Sequence, residues 1–157
     1  MHTTATASLR MPGSIEAVFA AATTDARMVA AFDGVGPIPG IDRIENLGPE
    51  LAVGLERIIH SSDGTGVRER VEVLEPPHRQ AYTLSDFKGP FRFLVRGARA
   101  EWTFTADGDH TDVHWHYTFE TTSFLAWPIV RVLMPFFARA QAKCLAALAE
   151  GLSGAAE

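Results

Sequence analysis

The amino-acid sequence predicts an α+β fold: one antiparallel sheet of about seven strands, two short helices after the first strand, and a long C-terminal helix that covers the sheet. Two observations lead to this prediction. Six strand-like segments follow one another through short turns, which suits antiparallel neighbours because a parallel crossover needs about a dozen residues. The last part of the chain instead repeats apolar residues every three or four positions, as an amphipathic helix does.

The N-terminal part is predicted to form a strand and then the two short helices. Residues 4–11 alternate loosely and carry β-branched side chains, which favours a strand. Ser14 and Asp25 are the residue types that cap helix N-termini. We expect Ser14 to cap a helix over residues 15–22 and Asp25 to cap a second short helix that runs through Phe32.

Six further strands are predicted, each followed by residues that favour turns. They span residues 41–47, 53–60, 67–74, 80–87, 98–105 and 111–120. In the last of them Trp115 and Tyr117 share an apolar side, whereas His114 and His116 share a polar one. One face of the sheet is therefore expected to be apolar and to carry the helix.

The C-terminal helix is predicted from residue 125 onward. Its apolar stripe consists of Val130, Leu133, Met134, Phe137, Gln141, Cys144, Leu145, Leu148 and Leu152. Pro135 lies inside this pattern and is expected to kink or break the helix, because proline removes one backbone hydrogen bond.

Length, charge and cysteine content narrow the class of protein. A chain of 157 residues suits one domain over residues 1–157. The net charge of −5 argues against general nucleic-acid binding, which needs clustered Lys and Arg. Cys144 stands alone, so no disulfide forms within the chain. The N-terminus is too polar for a signal peptide, and the longest apolar stretch, residues 124–137, is interrupted. We therefore expect a cytoplasmic protein without membrane insertion.

Four segments resemble motifs of a known family. They are residues 14–19 (SIEAVF), 70–79 (RVEVLEPPHR), 100–105 (AEWTFT) and 111–115 (TDVHW). Together with the long C-terminal helix, they resemble the helix-grip fold of the START and birch-pollen-allergen superfamily. Within it, the chain is most similar to the bacterial polyketide cyclase/dehydrase and lipid-transport family.

This resemblance implies a curved sheet wrapped around the long helix, with a deep apolar pocket between them. Family members include cyclases that act on poly-β-ketone intermediates and carriers of lipids. The family has no universal catalytic motif, so the resemblance assigns no catalytic residue. It implies no cofactor, and the expected partner is a hydrophobic small molecule.

The inward side of the strands and the inner stripe of the helix would line such a pocket. The predicted ligand-binding residues are Leu55, Ile59, Val71, Leu84, Trp102, Trp115, Tyr117, Leu133, Met134, Phe137 and Gln141. The aromatic members offer large flat surfaces to a ring or an acyl chain. The alternative is that these side chains only pack in the core.

Arg57, Glu69 and Tyr82 are the candidate catalytic residues. Arg57 and Glu69 fall on strands that we expect to be neighbours, and each occupies an apolar phase of its strand. A buried ion pair is costly, so it indicates a polar anchor for a ligand rather than a device for stability. Tyr82 could stabilise an oxyanion, and Glu69 or Asp86 could move protons. The alternative is a register error of one residue, which would place both charges in solvent.

Phe87, Phe91 and Phe93 lie in a loop rich in helix and strand breakers, residues 86–97, and are predicted to form a lid over the pocket mouth. The alternatives are an exposed patch for a partner or membrane surface, or an ordinary strand pair. The glycine- and proline-rich residues 34–40 are expected to be irregular and to form another mobile edge of the entrance.

The His-x-His pattern of the last predicted strand does not predict a metal site. His114 and His116 point the same way with Asp112, Glu101 and Glu120 near them, but zinc needs three or four ligands and a supporting second shell. We expect His114 and His116 to lie on an exposed polar face of the sheet.

Three functions remain open at this point. The first is cofactor-independent cyclisation or dehydration of a polyketide-like substrate, which requires proton-transfer groups inside the cavity. The second is non-catalytic carriage or sensing of a lipid or another apolar metabolite, which requires only a dry pocket with one polar anchor. The third is a protein-interaction module, which predicts an exposed apolar patch and a small or filled cavity.

Overall fold

The computed structural model describes residues 1–154 of the chain and confirms the α+β architecture. A seven-stranded antiparallel sheet has the order β1-β9-β8-β7-β6-β5-β4. Its strands are β1 (His2–Pro12), β4 (Ile41–Asn46), β5 (Glu56–Ser61), β6 (Gly66–Glu75), β7 (Arg79–Ser85), β8 (Val95–Asp107) and β9 (His110–Thr121). The helices are α1 (Ile15–Thr23), α2 (Asp25–Ala31) and α3 (Trp127–Gly154), and Pro90–Phe93 forms one 3₁₀ turn.

The faces of the sheet follow the alternation in the sequence. In β9 the side chains of Trp115, Tyr117 and Phe119 are buried, whereas His114 and His116 are exposed. This is the arrangement of an antiparallel sheet with one face on the core and one in solvent. Helix α3 packs on the core beside β1, and its fully buried residues include Leu145.

Helix α1 begins as the sequence predicts, whereas α2 does not. Ser14 Oγ accepts a hydrogen bond from the amide of Ala17 at 3.2 Å and so caps α1. The N-cap of α2 is Thr24, which makes no capping bond with its side chain. Asp25, predicted as that cap, is instead the first residue of the helix and is free to bind a more distant partner.

Residues 34–40 contain a small hairpin, which corrects the prediction of an irregular segment. Strands β2 (Gly34–Val35) and β3 (Ile38–Pro39) pair with each other and form a separate two-stranded sheet. Gly34 has a φ of 83°, a backbone conformation that glycine adopts without strain, and this allows the hairpin to form. The turn of the hairpin lies against α3, since a Cβ on Gly36 would contact Phe136. Two residues per strand are too few to give a readable alternation in the sequence.

Helix α3 continues through Pro135, so the break that was one of two expected outcomes does not occur. Val130 and Met134 are buried before the proline, and Gln141 and Cys144 after it. An internal proline destabilises a helix by roughly 3 kcal/mol. Burial of apolar side chains on both sides of Pro135 offsets this cost, so the helix stays continuous.

By length and composition α3 could also cross a membrane, contrary to the expectation that no apolar stretch of the chain is long enough. The helix is only partly buried, but its inner side is part of the main core cluster. It is therefore the core helix of this fold.

Candidate functional site

An open cavity of about 450 Å³ lies between the sheet and α3. Strands β5 to β9 supply one wall, and Leu133 and Phe137 of α3 supply part of the opposite one. Ile38 of the small hairpin and Leu94 after the 3₁₀ turn also line it. A volume in this range suits a small organic molecule.

Aromatic side chains dominate the wall formed by β8 and β9. Trp102 and Trp115 stack with their ring centroids 4.1 Å apart. Tyr117 meets Phe137 of α3 edge to face at 4.8 Å, and Phe137 meets Phe119 at 5.0 Å. The pairing of Trp102 with Trp115 across β8 and β9 fixes this stack. The wall is therefore a preformed apolar surface with the rings held by one another.

A buried ion pair forms the polar part of the wall. The register of β5 and β6 places Arg57 opposite Glu69, and Arg57 Nη2 donates to Glu69 Oε1 at 2.6 Å. Arg57 Nη1 donates to Asp25 Oδ1 at 3.0 Å, and Asn46 Nδ2 donates to the other oxygen of Asp25 at 2.7 Å. Arg57 thus bridges a fully buried carboxylate and one that is partly open to solvent.

Burial and charge act in opposite directions on this pair. Burial raises the pKa of Glu69, and the charge of Arg57 with its hydrogen bond opposes that rise without cancelling it. Burial alone would lower the pKa of Arg57, but Glu69 and Asp25 outweigh it and raise that pKa. Arg57 therefore stays charged, and Glu69 is the member of the pair that can gain and lose a proton.

Two tyrosines lie close to the ion pair. Trp102 Nε1 donates to Tyr82 Oη at 3.1 Å, and the rings of Tyr82 and Tyr117 meet at 6.4 Å. Burial and the nearby charge of Glu69 raise the pKa of Tyr82. Burial, with Tyr82 and Glu69 as neighbours, raises the pKa of Tyr117. Both hydroxyls stay protonated at neutral pH, so they can donate hydrogen bonds but cannot act as bases.

Two nitrogen donors among the lining residues have no partner within residues 1–154. They are Nε of Arg57 and Nε1 of Trp115, and both are fully buried. An unpaired buried donor is costly, so such groups are rare in folded proteins. Both atoms lie beneath the surface of the cavity wall, although the side chains that carry them line the cavity.

A family model described as polyketide cyclase / dehydrase and lipid transport matches residues 2–152. The chain belongs to this family. The resemblance drawn from the four sequence segments is thereby confirmed. No curated protein sequence matches the chain.

Solved structures of similar fold support the same architecture. The chain is similar to Ara h 8.0201, with a TM-score of 0.71, 14% identity and coverage of 98% of this chain and 99% of that one. Norcoclaurine synthase from Thalictrum flavum, solved with dopamine and hydroxybenzaldehyde, is similar with a TM-score of 0.66 and 14% identity. The match covers 94% of this chain and 87% of that one. DynU16, from the dynemicin biosynthetic locus, is similar with a TM-score of 0.60 and 18% identity. The match covers 90% of this chain and 46% of that one. At these identities the likeness establishes the fold.

Most predicted site residues lie in the cavity wall of this family member. The three candidate catalytic residues, Arg57, Glu69 and Tyr82, are brought together there. The other predicted residues in the wall are Ile59, Leu84, Trp102, Trp115, Tyr117, Leu133, Phe137 and two of the three lid phenylalanines, Phe87 and Phe91. Phe87 and Phe91 pack edge to face at 5.5 Å, so they form one small cluster at the mouth.

Five predicted residues lie elsewhere. Val71 and Met134 are buried in the fold without lining the cavity, and Leu55 lines a smaller depression beside it. Gln141 is fully buried and donates from Nε2 to the carbonyl of Trp115 at 3.3 Å. Phe93 points outward and is 67% exposed. On α3 the reason is geometric, because each residue turns about 100° and only the row that contains Leu133 and Phe137 faces the cavity.

Several lining residues were missed by sequence reasoning. Besides Asp25, they include Met28, Phe32, Ile38, Ile41, Val67, Gln80 and Phe119. Phe119 follows from the same alternation as Trp115 and Tyr117 and could have been found. Asp25 could not, because only the packing of α2 against β4 brings it to Arg57.

The His-x-His pattern lies on the solvent face of the sheet. His114 Nδ1 is hydrogen-bonded to Ser8 Oγ at 2.8 Å, and His116 is exposed. Within residues 1–154 no group of three or more His, Cys, Asp or Glu side chains is arranged to hold a metal ion.

Proposed function

We propose that this protein is a cytoplasmic, single-domain member of its family that binds a hydrophobic small molecule in the cavity and catalyses cyclisation or dehydration of a polyketide-like substrate. One observation carries the proposal: Arg57, Glu69 and Tyr82 together line a predominantly apolar cavity. The apolar wall would hold the carbon chain, and the polar cluster would hold a carbonyl oxygen. A folded, water-poor site orients a flexible substrate for ring closure.

The chemistry would be an aldol closure. Ionised Glu69 takes a proton from a carbon between two carbonyl groups, and the electron pair of that C–H bond moves to a carbonyl oxygen. Tyr82 or Arg57 donates a hydrogen bond to this enolate oxygen. The enolate carbon then attacks a second carbonyl carbon, and the new alkoxide takes the proton back from Glu69 to become a hydroxyl. Loss of that hydroxyl as water, with a neighbouring proton, completes a dehydration.

A carrier of lipid or of another apolar metabolite is the second candidate. Its support is the extent of the apolar wall, from Ile59 to Phe137, and the lipid transport named in the family description. A carrier would use Arg57 only to anchor an oxygen atom. A protein-interaction module without a ligand is less consistent with an open cavity of about 450 Å³.

Native mass spectrometry of the freshly purified chain, followed by denaturing extraction, is the first experiment. The binding proposal would be supported if the native protein carried one apolar molecule per chain and lost it on denaturing extraction. Identification of the extracted molecule would give the substrate class. Leu133→Trp should abolish its retention by filling the cavity, whereas Ile129→Trp, at a position outside the wall, should not. Equal retention by both variants would contradict the proposed site.

Turnover separates the two candidates. Once a substrate class is known, Glu69→Gln and Tyr82→Phe should each lower kcat by about 100-fold or more while the ligand is still bound. Half-buried Glu72 lies on the same strand but does not line the cavity, so Glu72→Gln is the control. A ligand that is bound but never converted by the wild-type protein would favour the carrier.

A further inference from the structure

An exposed apolar patch lies beside the mouth of the cavity. Five large apolar side chains that are 52% to 72% exposed form it: Phe93, Phe124, Leu125, Ile129 and Val132. Only three other large apolar residues in the described chain are comparably exposed, and they lie in other segments. Single exposed apolar residues are common on proteins, but a group of five in two segments is not.

Hydrogen bonds hold the two segments of the apolar patch together. The amide of Thr122 donates to the carbonyl of Leu94 at 2.9 Å, and its hydroxyl donates to the carbonyl of Phe93 at 2.6 Å. Arg96 Nη2 donates to the carbonyl of Thr122 at 3.1 Å. The turn that carries Phe93 is therefore fixed to the segment that leads into Phe124.

The helical part of the patch is a stripe on the outer side of α3. Ile129 and Val132 are three residues apart, which places them on one side of α3. Leu125 lies in the turn that leads into this helix. Leu133, next to Val132, lines the cavity, as does Leu94 next to Phe93. The apolar patch is thus adjacent to the cavity mouth on both of its edges.

Positive charge accompanies the patch. Residues 87–100 and 121–149 contain seven of the 14 Lys and Arg residues of the chain and none of its 19 Asp and Glu residues. Four of these cations, Lys88, Arg92, Arg131 and Arg139, form no ion pair with a carboxylate of residues 1–154. Because the chain as a whole carries −5, these two segments are more positive than the rest of it.

Three of the unpaired cations lie over aromatic rings. Arg92 is 4.7 Å from the ring centre of Phe93, and Arg131 is 5.0 Å from that of Trp127. Arg139 is 5.7 Å from the ring centre of Phe136. Side chains with an apolar body and a charged or polar tip suit the boundary between lipid tails and headgroups.

We propose that this face docks reversibly on a bilayer that contains anionic phospholipids, with the cavity mouth turned toward the lipid. The apolar patch would enter the headgroup region, and Lys88, Arg92, Arg131 and Arg139 would contact phosphate and carboxylate groups. Charge complementarity favours this partner, because anionic headgroups attract the four unpaired cations and a membrane without net charge does not. Docking does not depend on what the cavity binds, and it involves no insertion of α3 across the membrane.

Co-sedimentation of the full chain with vesicles tests the proposal. We expect binding to vesicles of phosphatidylcholine with phosphatidylserine, little binding to phosphatidylcholine alone, and weaker binding as salt is raised. Arg92→Gln combined with Arg131→Gln should lower the partition coefficient about 25-fold, at about fivefold per cation. Ile129→Ser combined with Val132→Ser should lower it about tenfold or more.

Matched controls come from elsewhere on the surface. Val53→Ser removes an equally exposed apolar side chain, and Arg43→Gln removes an exposed cation, so neither should change binding. Circular dichroism and retention of the cavity ligand establish that the patch variants are folded and keep their site. Three results would overturn the proposal: no binding to the anionic vesicles, binding that the patch variants leave unchanged, or sedimentation velocity showing a dimer that the patch variants dissociate.

Discussion

Arg57→Met tests whether the buried ion pair is organised as described. In the wild-type protein the carboxylate of Glu69 is almost fully buried and its hydrogen-bonding partner is Arg57. Methionine keeps the apolar stem of the arginine but leaves Glu69 without a counter-charge. Breaking a buried pair in this way costs about 3–5 kcal/mol, which is a large share of the stability of a domain. Asp25 loses the same partner at smaller cost, because it is partly exposed and keeps Asn46.

Urea denaturation followed by tryptophan fluorescence measures this effect. At neutral pH we expect the free energy of unfolding to fall by about 3–5 kcal/mol. The loss should shrink as the pH approaches 4.5, the ordinary pKa of glutamate, because a protonated Glu69 needs no counter-charge. Arg57→Met combined with Glu69→Leu should recover most of the loss, since an apolar pair replaces the ion pair.

Exposed Arg43 supplies the control for this prediction. Its side chain is 61% exposed and contacts Glu45 only at 4.0 Å, so Arg43→Met should change stability by less than about 0.5 kcal/mol. Two results would refute the reasoning: a stability of Arg57→Met equal to that of the wild-type protein, or a double variant as unstable as Arg57→Met alone. Either would mean that Glu69 is solvated or bound by another group.

Three further predictions concern single residues. Because the pKa of Glu69 is raised in the folded protein, its contribution to stability is present below pH 4.5 and is lost as the pH rises through the folded pKa. Glu69→Gln should remove this pH dependence, which urea titrations at several pH values would measure. Burial raises the pKa of Cys144 to about 12, so a thiol reagent should label it only in denaturant; rapid labelling of the native protein would show that the thiol is accessible. Gly34→Ala forces a Cβ against the carbonyl oxygen of Ile38 at a φ of 83° and should cost about 2 kcal/mol or more, whereas Gly64→Ala, with a φ of 85° and open space, should cost about 1 kcal/mol. Thermal unfolding of both glycine variants provides the comparison.

The sheet could be predicted because its signals are local. Alternation assigned Trp102 and Trp115 to the buried face, and turn residues separated the strands that form the main sheet. The same rule placed Arg57 and Glu69 in a buried phase, although both are charged. Period and turn chemistry are properties of a few consecutive residues, so one sequence contains them.

The parts that could not be predicted depend on contacts between distant segments. Asp25 was read as a helix cap, but it binds Arg57, which is 32 positions away in the sequence. The helical period placed Leu133 and Met134 together on the inner side of α3, while only the three-dimensional packing decides that Leu133 faces the cavity. Phe93 and Phe91 were grouped as one lid, yet the 3₁₀ turn directs them to opposite sides.

The pairing of the first strand with the last has a consequence for synthesis in the cell. Strand β1 has a single neighbour in the sheet, β9, and His2 lies opposite Glu120 while Pro12 lies opposite His110. The two partners are separated by about a hundred residues, so β1 leaves the ribosome long before its neighbour exists. Closing such a long loop is slow, and contacts of this kind reduce the folding rate. The nascent chain therefore exposes the apolar side of β1 until β9 has been synthesised, which is the period when a chaperone would contribute most.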